Sequence, residues 1–497
     1  TQLESRKETI LKAINEQAKL TDELEEQIVN CQELTILEDL YLPYKARRKT
    51  RGDKAKEKGL EPLAQLIWAQ KITQGNPEDH ARKFIHPEND VPSTTEAWKG
   101  AVDIVAEWVN ESVAIRKILR HNFMNHANIT TKKKSTLKER TNFEDYYDFS
   151  MKAAHLKPHQ ILAINRGERD GILKVTTEVW EERTLEIIDN LLITNYLSIF
   201  TEKLQDAVEE SFKRLLFPSL ERELRNALTE KADRHAIETF ATNLGNLLMQ
   251  PPLQNKVIMG IDPAYRTGCK VAVVDETGKY FEGTTIFPAP PRNQIAQAEA
   301  VIEQLIDKYG VNLIAIGNGT ASRETEQFVA EFIQKRKIIK PKKELNYLIV
   351  NEAGASVYSA SKVARQEFPE LEAAQRGNIS IARRVLDPMA ELVKIDPKSI
   401  GVGLYQHDVN QTHLSAKLDD VVESCVNEVG VNLNTASAPL LSHISGLSKR
   451  NAENIVKFRN EIGVFNSRQQ LREVEGIGDF RFQQAAGFMR IPDAANP

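Results

Sequence analysis

The sequence predicts a multidomain protein that is mainly α-helical and carries one α/β domain between two helical regions. Apolar residues recur at three- and four-residue spacing up to about residue 250, which indicates amphipathic helices. Short apolar runs then alternate with helical stripes, and the last part of the chain returns to short helices separated by glycine turns. The predicted domains are residues 1–252, 253–398 and 399–492, with 493–497 as a tail.

Length and composition fit soluble globular domains with apolar cores. The 497 residues suffice for about three domains, and hydrophobic residues make up 41% against 27% charged residues. With 66 lysine and arginine residues against 70 aspartate and glutamate residues, the formal net charge is -4. This excludes a uniformly basic nucleic-acid coat protein but leaves room for local basic patches that bind phosphate.

Cysteine usage and hydropathy predict a cytoplasmic protein with no membrane segment. Cys31, Cys269 and Cys425 are far apart and form no paired motif, which argues against a disulfide framework or a structural zinc site. No stretch approaches the roughly 20 consecutive apolar residues of a membrane helix. The chain starts without a signal peptide and without an initiator methionine, so we expect it to begin inside a longer protein.

The first helical region shows its clearest pattern between residues 204 and 248. Three amphipathic segments there are interpreted as helix-packing core: Leu204, Ala207, Val208, Phe212, Leu215 and Leu216; Leu220, Leu224, Ala227 and Leu228; Ile237, Phe240, Ala241, Leu244, Leu247 and Leu248. Pro218 is expected to interrupt the first stripe. Pro251-Pro252 closes the region, because neither residue can continue a helix.

The α/β domain is predicted from five short strand patterns. They cover residues 256–262, 270–275, 280–287, 311–317 and 345–352. A helix is predicted over 293–309, and Ser322 is predicted to cap the next helix, with Glu324 and Glu326 in its first turn. Three antiparallel strands followed by alternating helices and parallel strands make a mixed sheet.

Three carboxylates of this domain are candidate metal ligands: Asp262, Glu352 and Asp387. Asp262 and Glu352 each end a predicted strand, and carboxylates at neighbouring strand ends can converge to hold Mg²⁺. Two such ions could activate water for phosphodiester cleavage. A mixed sheet with an aspartate at the end of its first strand resembles the RNase H-like superfamily, including its RuvC and YqgF branches.

The end of the fourth strand departs from the pattern of a working nuclease. RuvC-type nucleases carry a glutamate ligand there, whereas this chain has Gly317-Asn318-Gly319. Glu324 or Glu326 could reach the site from the following helix, although each is equally explained as a first-turn charge. The sequence therefore predicts no metal site. No cofactor is predicted either, because the glycine segments match neither a P-loop nor the dinucleotide fingerprint.

The alternative to metal binding is a structural or vestigial role for the three carboxylates. For Asp262 we leave open a structural or vestigial role and a contact to phosphate or metal, and we favour the structural role for Glu352 and Asp387. Asp387 precedes Pro388 and can start a helix, with Arg383-Arg384 available to neutralise it.

The last predicted domain contains a pattern that occurs twice. A short helix that ends at Gly446 is followed by a tight turn and a second helix, and the pattern recurs around Gly476 and Gly478. This is the helix-hairpin-helix pattern, in which glycines let N–H groups at the helix start approach a phosphate. The second copy is complete, and the first has Ser448 in place of the second glycine. We expect Gly476 and Gly478 to require the positive φ angles that favour glycine.

Basic residues surround the two hairpins: Lys449, Arg450, Lys457, Arg459, Arg468, Arg472 and Arg481. Such residues could neutralise phosphates in contacts that do not depend on base sequence. The hairpins could also serve only as a packing unit, but two copies with basic neighbours favour nucleic-acid contact. The predicted nucleic-acid-binding residues of this region are Gly446, Lys449, Arg450, Gly476, Gly478 and Arg481.

A second basic cluster follows Tyr41 and Tyr44: Lys45, Arg47, Arg48, Lys49, Arg51, Lys54, Lys56 and Lys58, diluted by Asp53 and Glu57. Such a run is usually a solvated face. Its density and the two tyrosines make Arg47, Arg48 and Lys49 candidates for binding nucleic acid or a partner. A smaller cluster at residues 132–134 is expected to lie in a loop.

Six segments spread over nearly the whole chain carry a family resemblance: 37–45 (LEDLYLPYK), 315–324 (AIGNGTASRE), 352–359 (EAGASVYS), 381–384 (IARR), 397–408 (PKSIGVGLYQHD) and 485–488 (AAGF). On these segments the chain resembles the bacterial Tex family. Tex proteins are transcription accessory factors related to a eukaryotic elongation factor and histone chaperone.

The resemblance implies a partial helix-turn-helix and a central helical domain within 1–252, an RNase H-like (YqgF-type) domain at 253–398, and tandem helix-hairpin-helix motifs at 399–492. It also implies a C-terminal OB-fold RNA-binding domain, which we expect to lie beyond this chain. We expect the same of the segment with which proteins of this family usually begin. The family's YqgF domain is generally regarded as lacking a working nuclease site.

Two functional hypotheses from different classes follow. The first is a nucleic-acid-binding transcription accessory factor, a scaffold that assists transcription or RNA metabolism through sequence-independent backbone contacts and has no chemistry of its own. The alternative is a Mg²⁺-dependent, structure-specific nuclease that uses Asp262, Glu352 and Asp387. A third hypothesis is a protein-interaction platform on the polymerase. The expected partners are RNA, DNA or both, with RNA polymerase or other transcription proteins as further candidates.

Overall fold

The computed structural model describes residues 2–45, 48–134, 139–253, 255–340, 344–491 and 494. The chain forms two compact units, residues 1–233 and 234–497, and the boundary lies inside a long helix. Within the described ranges, no helix has both the length and the apolar character that crossing a bilayer requires.

The first unit is mainly helical. Its helices are α1 (Gln2–Asn15), α2 (Asp22–Asn30), α3 (Leu34–Tyr41), α4 (Arg51–Glu57), α5 (Glu61–Ala69), α6 (Pro77–Ala81), α7 (Thr94–Glu111), α8 (Val113–His126), α9 (Pro158–Arg169), α10 (Glu181–Leu192), α11 (Thr201–Ser211) and the start of α12 (Phe217–Leu248). Helices α4, α5 and α11 pack on α7, whose Ala101 and Val105 are fully buried. Helices α1 to α3 share a smaller core around Ile10, Ile14 and Ile28.

A three-stranded antiparallel sheet interrupts these helices, contrary to the expectation of an almost wholly helical region. Its strands are β1 (Asn128–Lys133), β2 (Asp148–Lys152) and β3 (Leu173–Glu178), in the order β2-β1-β3. Lys132 and Lys133 lie in β1, so the prediction of a loop at 132–134 is wrong. Each strand is short and carries polar residues on one face, which leaves too few apolar residues for a period of two to stand out.

Pro218 interrupts the hydrogen-bonding pattern of the helix without ending it. A π-helical turn, Phe212–Leu216, links α11 to α12, and Pro218 lies in the first turn of α12. Proline has no N–H to donate, and the wider turn before it accommodates this loss within a continuous helix. Helix α12 ends at Leu248, so the predicted termination before Pro251-Pro252 is confirmed.

The second unit contains the predicted mixed sheet. Its strands are β4 (Ile258–Asp262), β5 (Cys269–Val274), β6 (Tyr280–Ile286), β7 (Leu313–Gly317) and β8 (Asn346–Val350), in the order β6-β5-β4-β7-β8. The pairs β4–β5 and β5–β6 are antiparallel, and β7 runs parallel to both β4 and β8. The mixed α/β sheet is thus confirmed, with every strand boundary close to its predicted position.

Helices cover both faces of this sheet: α13 (Ile295–Tyr309), α14 (Ser322–Ile339), α15 (Ala355–Ala360), α16 (Lys362–Glu367), α17 (Ala373–Leu386) and α18 (Pro388–Leu392). Ile302 of α13 and Val329 of α14 pack on one face, and Ile379 of α17 packs on the other. Helix α14 begins at Ser322, and Ala321, at φ +67°, precedes it without a side-chain cap. The predicted cap at Ser322 is therefore wrong by one residue.

The end of the chain holds α19 (Gln411–Val429), β9 (Val431–Asn432), α20 (Ala438–Leu441), α21 (Lys449–Ile462), α22 (Asp479–Ala485) and β10 (Met489–Arg490). Strands β9 and β10 pair in parallel and join the two ends of the hairpin region. With 19 residues, α19 is longer than the short helices predicted here. The predicted tail, 493–497, lies outside the described residues except for residue 494.

Candidate nucleic-acid interface

The first hairpin joins α20 to α21. Gly446 has φ +83°, a left-handed conformation that disfavours any residue with a Cβ, and a Cβ there would lie 2.7 Å from that of Gln484. Ser448, which replaces the second glycine of the motif, caps α21. Its Oγ accepts a hydrogen bond from the Asn451 N–H (3.2 Å), and the Asn451 side chain accepts one from the Ser448 N–H (3.1 Å). The serine therefore starts the helix where the motif has glycine.

The two glycines of the second hairpin differ in conformation. Gly476 has φ +85° and so needs glycine, as expected. Gly478 has φ -86°, an angle that any residue adopts, so the expectation of a positive φ at Gly478 is wrong. A Cβ at Gly478 would meet no atom of the described residues within 4 Å. The turn does not require glycine at 478, and the backbone there is open to a ligand.

Asn451 ties the two hairpins together. It is only 2% exposed, and its Nδ2 donates to the carbonyl of Gly476 (3.1 Å). Its Oδ1 accepts from Nη1 of Arg481 (2.9 Å), which also donates to the Gly476 carbonyl (2.9 Å). Sequence reasoning missed Asn451, although its place three residues after Ser448 is that of a capping box.

Lys449 and Arg450 form an exposed cationic start to α21. This helix, which is described in full, has no acidic residue in its first turn. Cations are unfavourable at the positive end of a helix dipole unless an anion lies nearby. Arg450 does contact Glu475 (3.2 Å), but both side chains are exposed, and such pairs contribute little. The geometry suits a bound phosphate.

The second hairpin is less basic than its sequence suggested. Arg481, predicted to neutralise phosphate, holds the hairpin closed through Gly476 and Asn451. Asp479 lies in the first turn of α22 and pairs with Arg472 at 3.0 Å. Beside it Phe480 is 71% exposed, an aromatic surface that sequence reasoning missed. The copy with the incomplete motif therefore carries the more electropositive helix start.

Arg459, also predicted near the phosphate, supports the fold instead. Its Nη1 donates to the carbonyls of Leu433 (3.1 Å) and Ala436 (2.7 Å), and burial lowers the pKa of its guanidinium. These bonds anchor α21 to the segment after β9.

The structure brings Asp262 and Glu352 together at one edge of the sheet. Asp262 ends β4, and Glu352 follows β8, with β7 between the two strands. Burial and then the charge of Asp262 raise the pKa of Glu352. Burial also raises the pKa of Asp262, opposed by Lys270. Two carboxylates that disfavour each other's ionisation thus share this edge.

Glu352 occupies the space above the two glycines at the end of β7. A Cβ at Gly317 would lie 2.1 Å from Oε2 of Glu352, and one at Gly319 would lie 1.8 Å from Oε1. A larger residue at either position is incompatible with this carboxylate position. The buried Oε2 has no hydrogen-bond partner among the described residues. Glu352 therefore stands where a side chain from the end of the fourth strand would otherwise project.

Asp387 caps α18, in agreement with the structural role favoured from the sequence. Its Oδ1 accepts a hydrogen bond from the Ala390 N–H at 2.9 Å. The expected neutralisation by Arg383 and Arg384 is not found. Arg383 donates to the Gly278 carbonyl (2.6 Å). Arg384 donates to backbone carbonyls that flank Glu352. In the described part of the chain, no group of three or more His, Cys, Asp or Glu side chains could hold a metal ion.

The basic cluster after Tyr44 is partly neutralised by acidic side chains. Arg47 lies outside the described residues. Arg48 and Lys49 are exposed. Among its described residues, Lys49 pairs with Glu57 (2.5 Å), Arg51 with Glu210 (3.2 Å) and Lys58 with Asp90 (2.6 Å). These pairs reduce the local positive charge, and nucleic-acid binding by this cluster stays a prediction.

Three family descriptions match parts of the chain. Residues 73–240 match the Tex central region-like family, residues 256–386 match the Tex protein YqgF-like domain, and residues 426–490 match the helix-hairpin-helix motif. The second match covers the mixed sheet with its carboxylate pair, and the third covers both hairpins.

Three relatives that are similar to nearly the whole chain support the same family. The chain is 45% identical over 501 residues to "Uncharacterized protein YdcI" of Bacillus subtilis, covering all of this chain and 68% of that protein. It is 43% identical over 505 residues to "Transcriptional accessory protein Tex" of Neisseria gonorrhoeae, covering all of this chain and 65% of that protein. It is 35% identical over 506 residues to the human "S1 RNA-binding domain-containing protein 1", covering 97% of this chain and 49% of that protein.

Proposed function

The chain belongs to the Tex family of transcriptional accessory proteins, and we therefore propose that it is a nucleic-acid-binding scaffold that assists transcription or RNA metabolism. The observation that carries the proposal is the exposed cationic start of α21, where Lys449 and Arg450 lie in a first turn that has no acidic residue. Helix-start N–H groups and these two cations would bind phosphate oxygens. Phosphates are alike in every sequence, so the contacts would not select bases.

The partners in this proposal are RNA, DNA or both. The name of the human relative refers to RNA binding, which supports RNA as one of these partners. A contact with RNA polymerase or another transcription protein is a further part of the proposal. This part rests on the family alone.

We further propose that the YqgF-like domain does not cleave nucleic acid. Two features support this. Glu352 fills the space above Gly317 and Gly319, where RuvC-type nucleases place another glutamate. Asp387, the third candidate ligand, is engaged as the cap of α18. The domain would then contribute a rigid sheet to the scaffold.

Binding to single- and double-stranded RNA and DNA across a salt titration tests the scaffold. We expect the double variant Lys449→Gln/Arg450→Gln to bind every nucleic acid more weakly. The slope of log affinity against log salt is negative, and its magnitude should decrease by roughly 1.4 for single strands and 1.8 for duplexes, as for two lost phosphate contacts.

A matched control removes two positive charges elsewhere in the same unit, through Lys335→Gln/Lys337→Gln on α14. This control should bind as the parent does. Equal affinity and equal salt slope in the hairpin variant and the parent would overturn the proposed site.

A further inference from the structure

A polar pocket of about 400 Å³ lies in the first unit, away from every residue discussed so far as a binding site. Three elements form it: the end of α8, one end of the small antiparallel sheet, and the start of α10. Its volume falls within the usual range for small-ligand sites, about 300–1,000 Å³. Most of its lining residues carry polar or charged side chains, and Val179 and Trp180 are the apolar ones among those described.

The sheet contributes a row of three polar side chains. Asn128 of β1 pairs with Lys152 of β2 on one side and with Glu178 of β3 on the other. Directly paired residues of antiparallel strands project from the same face. The side chains of Asn128, Lys152 and Glu178 therefore project from the same face of three neighbouring strands, whose backbones lie about 4.8 Å apart.

The two helices contribute the walls. Asn122 and His126 are one turn apart on α8 and face the pocket together. Trp180 and Arg183 come from the start of α10. Thr184 fixes this start, because its hydroxyl and its N–H both donate to the Trp180 carbonyl, at 2.9 and 3.0 Å.

Trp180 is the most unusual member of the pocket. Its side chain lines the pocket, yet the residue is 69% exposed. By contrast, Trp98 is buried and packs against Phe200. An exposed indole beside a polar pocket offers a flat apolar face to a ligand, and nucleobases of any sequence stack on such faces.

The charges around Trp180 suit an anionic ligand. Lys152 and Arg183 line the pocket and are exposed, and neither forms an ion pair with a described residue. Among the described residues of the lining, Glu178 is the one acidic side chain, and its Oε1 accepts a hydrogen bond from the hydroxyl of Thr130 (3.2 Å). Two cations against one carboxylate leave a positive pocket that also offers amide donors and acceptors.

We propose that this pocket binds one unpaired nucleotide of a single strand, with its base stacked on Trp180 and its phosphates near Lys152 and Arg183. The inference rests on the proposed function in assuming that the protein binds nucleic acid, and it adds a second site that selects single strands. A duplex keeps its bases stacked inside and cannot offer one to the indole. Asn122 and Asn128 would hydrogen-bond base or sugar edges.

The test compares single-stranded oligonucleotides, duplexes of equal length and free mononucleotides on the full chain. Trp180→Ala should weaken binding of single-stranded RNA or DNA about tenfold or more and leave duplex affinity unchanged. Trp180→Phe should retain most of the affinity, because phenylalanine still stacks. Tyr196→Ala, which removes another aromatic residue that is 61% exposed in the same unit, should have no effect.

The same variants in the Lys449→Gln/Arg450→Gln background separate this proposal from the hairpin proposal. If Trp180→Ala leaves single-strand affinity unchanged in both backgrounds, the pocket proposal is overturned, whatever the hairpin variant does. If Trp180→Ala weakens single-strand binding while the hairpin variant binds normally, the hairpin proposal fails and the pocket is supported. An effect confined to free mononucleotides would overturn the assignment to a strand. A parent protein that binds no nucleic acid overturns both proposals.

Discussion

At the scale of single residues, Gly476 is required by the turn of the second hairpin, whereas Gly478 would be required only by a bound ligand. Gly476 has φ +85°, and a Cβ there would lie 2.9 Å from Nδ2 of Asn451. Gly478 has an ordinary φ of -86° and open space around it. The turn requires glycine only at 476. A substitution at Gly478 can therefore test the approach of a phosphate without disturbing the turn.

We therefore expect Gly478→Val to lower nucleic-acid affinity while leaving the melting temperature close to that of the parent. The valine would block one or two charged hydrogen bonds, a loss of about 1–3 kcal/mol of binding free energy. The loss should be similar for all base sequences, because backbone contacts carry no base information. Fluorescence anisotropy measures the affinity, and circular dichroism measures the melting temperature.

Gly476→Ala is the comparison variant. It should lower the free energy of unfolding by about 1–2 kcal/mol, the cost of a left-handed conformation with a Cβ. A folded Gly478→Val protein that binds RNA and DNA as tightly as the parent would assign the second hairpin a packing role only.

At the scale of elements, the order of the strands decides which carboxylates meet. Strand β7 lies between β4 and β8, so Asp262 and Glu352 approach each other across its glycine-bearing end. Burial and mutual repulsion raise the pKa of Glu352, while solvent still reaches part of this residue. Ionisation of Glu352 is therefore less favourable in the folded protein than in the unfolded chain.

The raised pKa gives a definite pH dependence. Because the folded protein holds the Glu352 proton more tightly than the unfolded chain does, this group stabilises the fold fully below the unfolded pKa. That contribution is lost as the pH rises through the folded pKa. Glu352→Gln should therefore raise the free energy of unfolding at pH 7, by about 1 kcal/mol or less after allowance for solvent screening. The gain should shrink towards about pH 4.

Urea denaturation at both pH values measures the effect, and Glu370→Gln, at an exposed glutamate of the same domain, is the control. A Glu352→Gln variant that is less stable than the parent at pH 7 would show that the carboxylate is favourable as an anion, for instance as a cation ligand.

At the scale of the whole molecule, a formal net charge of -4 means that nucleic acid can be attracted only by local cationic surfaces. The cationic start of α21 and the pocket at Trp180 are two such surfaces, one in each unit. Binding by a few phosphate contacts should be modest and sensitive to salt.

The absence of nuclease activity is a prediction about the full chain with metal supplied. Purified protein with Mg²⁺ or Mn²⁺ should leave branched and linear DNA and RNA intact, because the site lacks the glutamate of the fourth strand. Gel electrophoresis of labelled substrates over several hours provides the measurement. Metal-dependent cleavage that disappears in Asp262→Asn would instead establish the nuclease alternative.

Much of the fold follows from the sequence because its signals are local. Runs of apolar residues predicted the strands of the mixed sheet, and Pro251-Pro252 predicted the end of α12. The helix-hairpin-helix pattern was equally visible, since a turn such as that at Gly476 depends on a few neighbouring residues. The sheet of β1 to β3 escaped prediction because its short strands are half polar.

Short segments of the sequence were enough to predict the helices and strands of the α/β domain, the hairpin motifs and the family of the chain. Only the tertiary structure decided that Glu352 fills the space above Gly317, that Asn451 joins the two hairpins, and that Trp180 borders a polar pocket. Each of these arrangements joins residues that are distant in the chain. Side-chain packing and strand order place them together, and neither leaves a periodic trace in the sequence.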